Sequence, residues 1–153
     1  MKDFYVPAET RTIVNSTVVG AVAGALTWGL SLLVQKYFLE PVFCRSSDSF
    51  MACANGGSIS FNLSLIIVSI AAVAALVRVG GYRPLLVAIA AVATLWSANE
   101  WLGAFVWWEA VLWLTVLSAA AYLVYSWVAR VTSFPASVVI MVMAVVAARL
   151  ILL

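Results

Sequence analysis

Five apolar runs separated by short polar stretches fill most of this chain. The runs are rich in Ala, Leu and Val, and none shows the strict alternation that a barrel strand needs. A bilayer-crossing helix needs roughly 17–25 apolar residues, and its backbone polar groups are satisfied within the helix. The pattern therefore predicts an all-α, polytopic transmembrane bundle in which residues 1–153 form a single membrane domain. The predicted spans are approximately 12–34, 59–77, 84–98, 105–129 and 136–153.

The third run, 84–98, is the shortest, and the polar pair Asn99 and Glu100 follows it directly. Either the chain turns at a hairpin corner within 99–104, or the helix continues through Glu100. Indole rings concentrate at the headgroup level of membranes, which favours the corner. The prediction is therefore five spans, with four as the alternative. The predicted interfacial aromatic residues are Trp96, Trp101, Trp107 and Trp108.

The composition supports a membrane protein over a soluble one. Hydrophobic residues make up 66% of the chain and charged residues 9%, against roughly 45–50% and 25% in soluble domains. A soluble fold of this size has too much exposed surface to hide that apolar fraction. The expected partner is the lipid bilayer, joined by other membrane subunits or further copies of the chain. No nucleic-acid partner is expected.

The basic residues predict an orientation. With the N-terminus inside, the positive-inside rule is satisfied by five basic residues against three. We therefore expect the plasma or inner membrane of a prokaryote, with the first run retained as a span and not cleaved as a signal peptide. The inner group is Lys2, Arg11, Arg78, Arg83 and Arg130, and the outer group is Lys36, Arg45 and Arg149.

Both cysteines, Cys44 and Cys53, lie in the predicted outer loop 36–58. This orientation places them on the oxidising side, where such a pair forms a structural disulfide. The alternative is a redox pair that passes electrons to a quinone. That chemistry normally uses a Cys-x-x-Cys pair, which this chain lacks.

Three polar residues near the predicted outer side form a candidate intramembrane or interfacial site. They are Asn99, Glu100 and Arg149. An ionisable group at membrane depth is costly, so a buried Glu100 would predict a proton or cation site. At a corner, Glu100 is a solvated interfacial acid, which is the favoured interpretation. Arg149 either extends its charge to the outer interface or pairs with Glu100 or Glu109.

Small residues recur every four positions on the first run. Ser16, Gly20 and Gly24 form this stripe, which permits close approach of two helix backbones. The favoured interpretation is packing within one chain, and the alternative is an oligomer contact. Both interpretations place a second helix against this face.

No residue pattern predicts an enzyme with a familiar site. The chain has no histidine, which excludes a histidine-based metal or haem site and a Ser-His-Asp triad. No metal and no cofactor are expected. The favoured function is a non-catalytic subunit or scaffold of a membrane assembly. The alternatives are a small oligomeric channel or transporter that uses Glu100, and a thiol-disulfide/quinone oxidoreductase that uses Cys44 and Cys53.

Overall fold

The computed structural model describes residues 10–43, 55–96 and 98–152, and every regular element in these ranges is helical. This confirms the predicted all-α bundle. A π-helical turn, Gln35–Leu39, joins the first two helices. The helices are α1 (Thr10–Val34), α2 (Glu40–Phe43), α3 (Gly56–Arg78), α4 (Pro84–Leu95), α5 (Asn99–Leu102), α6 (Trp107–Val128) and α7 (Phe134–Leu152).

Four helical segments are long and apolar enough to cross a membrane, which makes the chain a multi-pass membrane protein. They are Thr10–Leu39, Gly56–Arg78, Trp107–Val128 and Phe134–Ile151. One further apolar helix, α4, has only 12 residues and is therefore about 18 Å long. The hydrocarbon core is about 30 Å thick. By length, the described helices therefore include four complete spans, which was the alternative count. The shorter helix α4 lies between the second and third of these spans in the chain.

The predicted loop 36–58 begins and ends inside helices. The chain stays helical through Phe43, and α3 already begins at Gly56. Lys36 and Glu40 end the apolar run but do not end the helix, because backbone hydrogen bonding needs no apolar side chain. Residues 44–54 of this loop, with Cys44 and Cys53, lie outside the described residues.

The long helices α1 and α6 pack antiparallel along the stripe of small residues. A Cβ atom added to Gly20 would lie 2.6 Å from Cβ of Tyr122, and one added to Gly24 would lie 2.8 Å from the Leu114 carbonyl oxygen. Both distances are shorter than van der Waals contact. Ser16, on the same face, is 1% exposed. In this structure the stripe therefore brings two helices of one chain together.

The antiparallel packing gathers charge at the two ends of the bundle. The end that we call the basic end carries Arg11, Arg78, Arg83 and Arg130, because α1 begins, α3 ends, α4 begins and α6 ends there. The opposite end, which we call the aromatic end, carries α5 and the start of α6. An apolar cluster fixes the aromatic end, and its buried members are Phe61, Leu65, Leu95, Ala98, Leu102, Ala110 and Leu114.

Candidate functional site

Asn99 and Glu100 lie on α5, the four-residue helix that forms the corner between α4 and α6. The Asn99 side-chain amide donates a hydrogen bond of 2.8 Å to the Ser58 hydroxyl on α3. Its own oxygen is buried with no hydrogen-bond partner. Glu100 is exposed, so its carboxylate does not enter the bundle. Asn99 therefore ties the corner to α3, while Glu100 faces outward.

The four tryptophans singled out in the sequence surround this corner. Trp96, Trp107 and Trp108 are 40%, 71% and 53% exposed, so their rings face the surroundings of the bundle. Trp101 is half-buried and meets Phe105 edge-on, with ring centroids 5.9 Å apart. Exposed indoles grouped beside polar residues are typical of the headgroup level of a membrane.

Arg149 approaches the C-terminal end of α4. Its Nε donates a hydrogen bond of 3.0 Å to the carbonyl oxygen of Ala93, in the last turn of that helix. Carbonyls at a helix end lack partners within the helix, and a cation is favoured at this end of the dipole. Glu100 and Glu109, the acids considered from the sequence, are not the partners of Arg149 in the part of the chain described. The arginine instead joins α7 to α4.

Arg83 occupies the matching position at the basic end. It is the N-cap residue of α4 and has left-handed backbone angles, φ 52° and ψ 58°. This region is uncommon for a residue other than glycine, and proline at the next position favours extended angles instead. Such a conformation costs roughly 1–3 kcal/mol and persists only where surrounding contacts hold it.

Those contacts come from the turn between α6 and α7. The Arg83 guanidinium donates to the carbonyl oxygens of Val131 at 3.3 Å and Thr132 at 3.4 Å. Its central carbon lies 5.0 Å from the Tyr82 ring centre and 5.1 Å from that of Phe134. Cation–π contacts at these distances are favourable. Arg83 therefore holds the two turns of the basic end together.

An apolar groove runs between α4 and α7 from Arg83 toward the aromatic end. Its volume is about 470 Å³. Apart from Arg83 itself, its walls carry no charged side chain: they are formed by Pro84, Leu85, Leu86, Ile89, Ala90, Ala93, Phe134, Val138, Met141, Val142, Val145 and Val146. Sequence reasoning did not identify this groove, because its walls come from residues some 50 positions apart. The sequence also did not predict the left-handed backbone conformation of Arg83, which precedes Pro84.

The centre of the bundle is closed. The void between α1, α3, α4 and α6 measures about 10 Å³, which is room for one water molecule at most. Hydroxyl groups near it bond to carbonyls of their own helices: Thr27 to Ala23 at 2.8 Å and Thr94 to Ala90 at 2.9 Å. Thr94 also shares a hydrogen bond with the Tyr125 hydroxyl of α6.

The described residues bring together no group of three acidic or cysteine side chains that would hold a metal ion. They offer two arginines at helix ends, an exposed acid and an apolar groove. Comparison with protein-family models, curated proteins and solved structures finds no match for this chain. Its function is therefore inferred from the arrangement of its own residues.

Proposed function

We propose that this integral membrane protein is a non-catalytic subunit or scaffold of a membrane assembly. The closed centre supports the proposal most directly: the void there is about 10 Å³, and the nearby Thr27 and Thr94 hydroxyls donate to carbonyls of their own helices. Such an interior supports packing and leaves no room for a solute. The surfaces that remain for activity are the outer faces of the helices and the two ends.

The outer face of α7 is the best candidate for a protein contact. Of its described side chains, only Ser137 and Met141 are buried, and the helix packs mainly against the short α4. Met143 and Ala147 are exposed on α7. Small residues let helix backbones approach closely in lipid, and methionine adapts to irregular surfaces. A neighbouring subunit that covers this face would provide packing contacts that α7 lacks within its own chain.

Site-specific photocrosslinking in the native membrane tests this proposal. A photoreactive residue replaces Met143, which is 66% exposed on α7, and the matched control replaces Val18, which is 55% exposed on α1. We expect one protein adduct of reproducible mass from position 143 and only lipid adducts from position 18. Lipid adducts alone at both positions, together with a monomer in native mass spectrometry, would refute the subunit role. A self-adduct of twice the chain mass would contradict a mixed assembly and favour an oligomeric channel.

The Glu100→Ala variant separates the subunit from the channel hypothesis. Because Glu100 is exposed, its removal is expected to change the free energy of unfolding by less than about 0.5 kcal/mol. The neighbouring Asn99→Ala variant is the control. It removes the hydrogen bond to Ser58 and is expected to cost about 1 kcal/mol. Unfolding of the two variants and the wild type in mixed micelles measures both changes in stability. Loss of ion flux in liposomes on Glu100→Ala, with stability unchanged, would overturn the scaffold proposal.

A further inference from the structure

We propose that the groove between α4 and α7 binds one anionic phospholipid. An acyl chain lies along the apolar groove, and the Arg83 guanidinium holds the phosphate at the basic end. The site involves the inner side of α7 and does not depend on which protein covers the outer face of that helix. Three features of the structure support it: the chemistry of the walls, the donors left on Arg83, and the charge of the basic end.

The walls of the groove suit a hydrocarbon chain and suit water poorly. Ile89 on α4 and Val142 on α7 line the groove and are 61% and 56% exposed. The hydrogen bond from Arg149 to Ala93 joins the same two helices. A groove of about 470 Å³ without polar side chains along its length offers water no hydrogen bonds. Because exposed side chains of two apolar helices line the groove, the bilayer itself supplies the occupant, which is an acyl chain.

Arg83 has the donors that a phosphate requires. A guanidinium carries five N–H groups, and the carbonyls of Val131 and Thr132 take two of them. The remaining three suffice for the paired hydrogen bonds that arginine makes to phosphate. Among the described residues no carboxylate pairs with Arg83. Its two carbonyl bonds and two ring contacts fix the side chain, so little entropy is lost when a phosphate binds.

The basic end selects the charge of the lipid. Arg78 and Arg11 are exposed at this end, and no acidic residue is described there, since Glu40, Glu100 and Glu109 belong to elements at the opposite end. Basic residues next to a membrane surface attract anionic lipids, and basic pockets between transmembrane helices bind their headgroups. A lipid with a net negative headgroup is therefore favoured over a zwitterionic lipid with the same chains.

Native mass spectrometry of the delipidated full chain tests the headgroup contact. The protein is titrated with phosphatidylglycerol and, separately, with phosphatidylcholine of identical acyl chains. We expect one tightly bound phosphatidylglycerol and at least fivefold weaker binding of phosphatidylcholine. Arg83→Gln is expected to weaken phosphatidylglycerol binding about tenfold, whereas Arg83→Lys keeps the preference for the anionic lipid. The control, Arg78→Gln, removes an exposed arginine at the same end but outside the groove. It is expected to weaken binding much less than Arg83→Gln, because Arg78 adds only to the general attraction of the basic end for anionic lipids.

A second pair of variants tests the groove without touching Arg83, in case that residue is needed for folding. Val142→Trp fills the groove from an exposed position on α7, and Val139→Trp places the same ring on the same helix outside it. We expect Val142→Trp to abolish retention of the lipid and Val139→Trp to preserve it. Equal retention of both lipids by the wild type, equal losses in Arg83→Gln and Arg78→Gln, or equal retention by the two tryptophan variants would each overturn the proposal.

Discussion

Replacement of Gly24 by valine is expected to lower the free energy of unfolding by about 3 kcal/mol, at the upper end of overpacking costs. A Cβ atom at this position would lie 2.8 Å from the Leu114 carbonyl oxygen and 3.0 Å from Cα of Thr115. Both are backbone atoms of α6, so neither can rotate away. The two helices must therefore separate, and the close packing along the whole stripe is lost.

The matched control for this variant is Gly29→Val on the same helix. A Cβ atom at Gly29 meets nothing within 4 Å, so the change in stability is expected to stay within about 0.5 kcal/mol. Both variants are measured by the fraction of dodecyl sulfate that unfolds half of the protein in mixed micelles. Equal midpoints for the two variants would show that Gly24 has no role in packing α1 against α6.

Replacement of Leu114 by alanine is expected to cost about 2–3 kcal/mol. Leu114 is 0% exposed, and its side chain belongs to the apolar cluster that fixes the aromatic end. Truncation of a buried leucine leaves a cavity that its neighbours fill incompletely. Lipid is as apolar as the protein interior, so most of the loss comes from missing packing contacts. The expected value therefore lies at the lower end of that observed in soluble cores.

Leu112 provides the control for this variant because it lies on the same helix and is 53% exposed. Leu112→Ala leaves no cavity inside the bundle and is expected to change stability by less than about 0.5 kcal/mol. Unfolding in mixed micelles compares the two variants, and protease sensitivity of the 99–105 corner gives a second readout. A loss of similar size in both variants would mean that the cluster does not fix the corner.

The sequence was sufficient to predict the class of fold. Long apolar runs in a chain with few charges have only one stable arrangement in lipid, because each backbone polar group must be satisfied within its own helix. The approximate positions of the helices followed from the same pattern. Their ends did not, since Lys36 and Glu40 interrupt hydropathy without interrupting helical hydrogen bonding.

The candidate site was only partly accessible from the sequence. The sequence identified Glu100 and Arg149 as charges near apolar runs, but the hydropathy pattern does not predict which residues surround them. The exposure of Glu100 depends on the turn at α5. The bond from Arg149 to Ala93 joins residues 56 positions apart. Arg83 attracted attention only as one positive charge among several in the loops.

Local physical rules were therefore sufficient to determine a membrane-embedded, all-α chain with a stripe of small residues on its first helix. Tertiary structure alone decided that α6 packs against Gly20 and Gly24 and that the centre of the bundle is closed. It also decided that Arg83 stands at the mouth of an apolar groove. Apolar periodicity reports where a helix lies in the bilayer, whereas the neighbour on each face depends on how all the helices pack together.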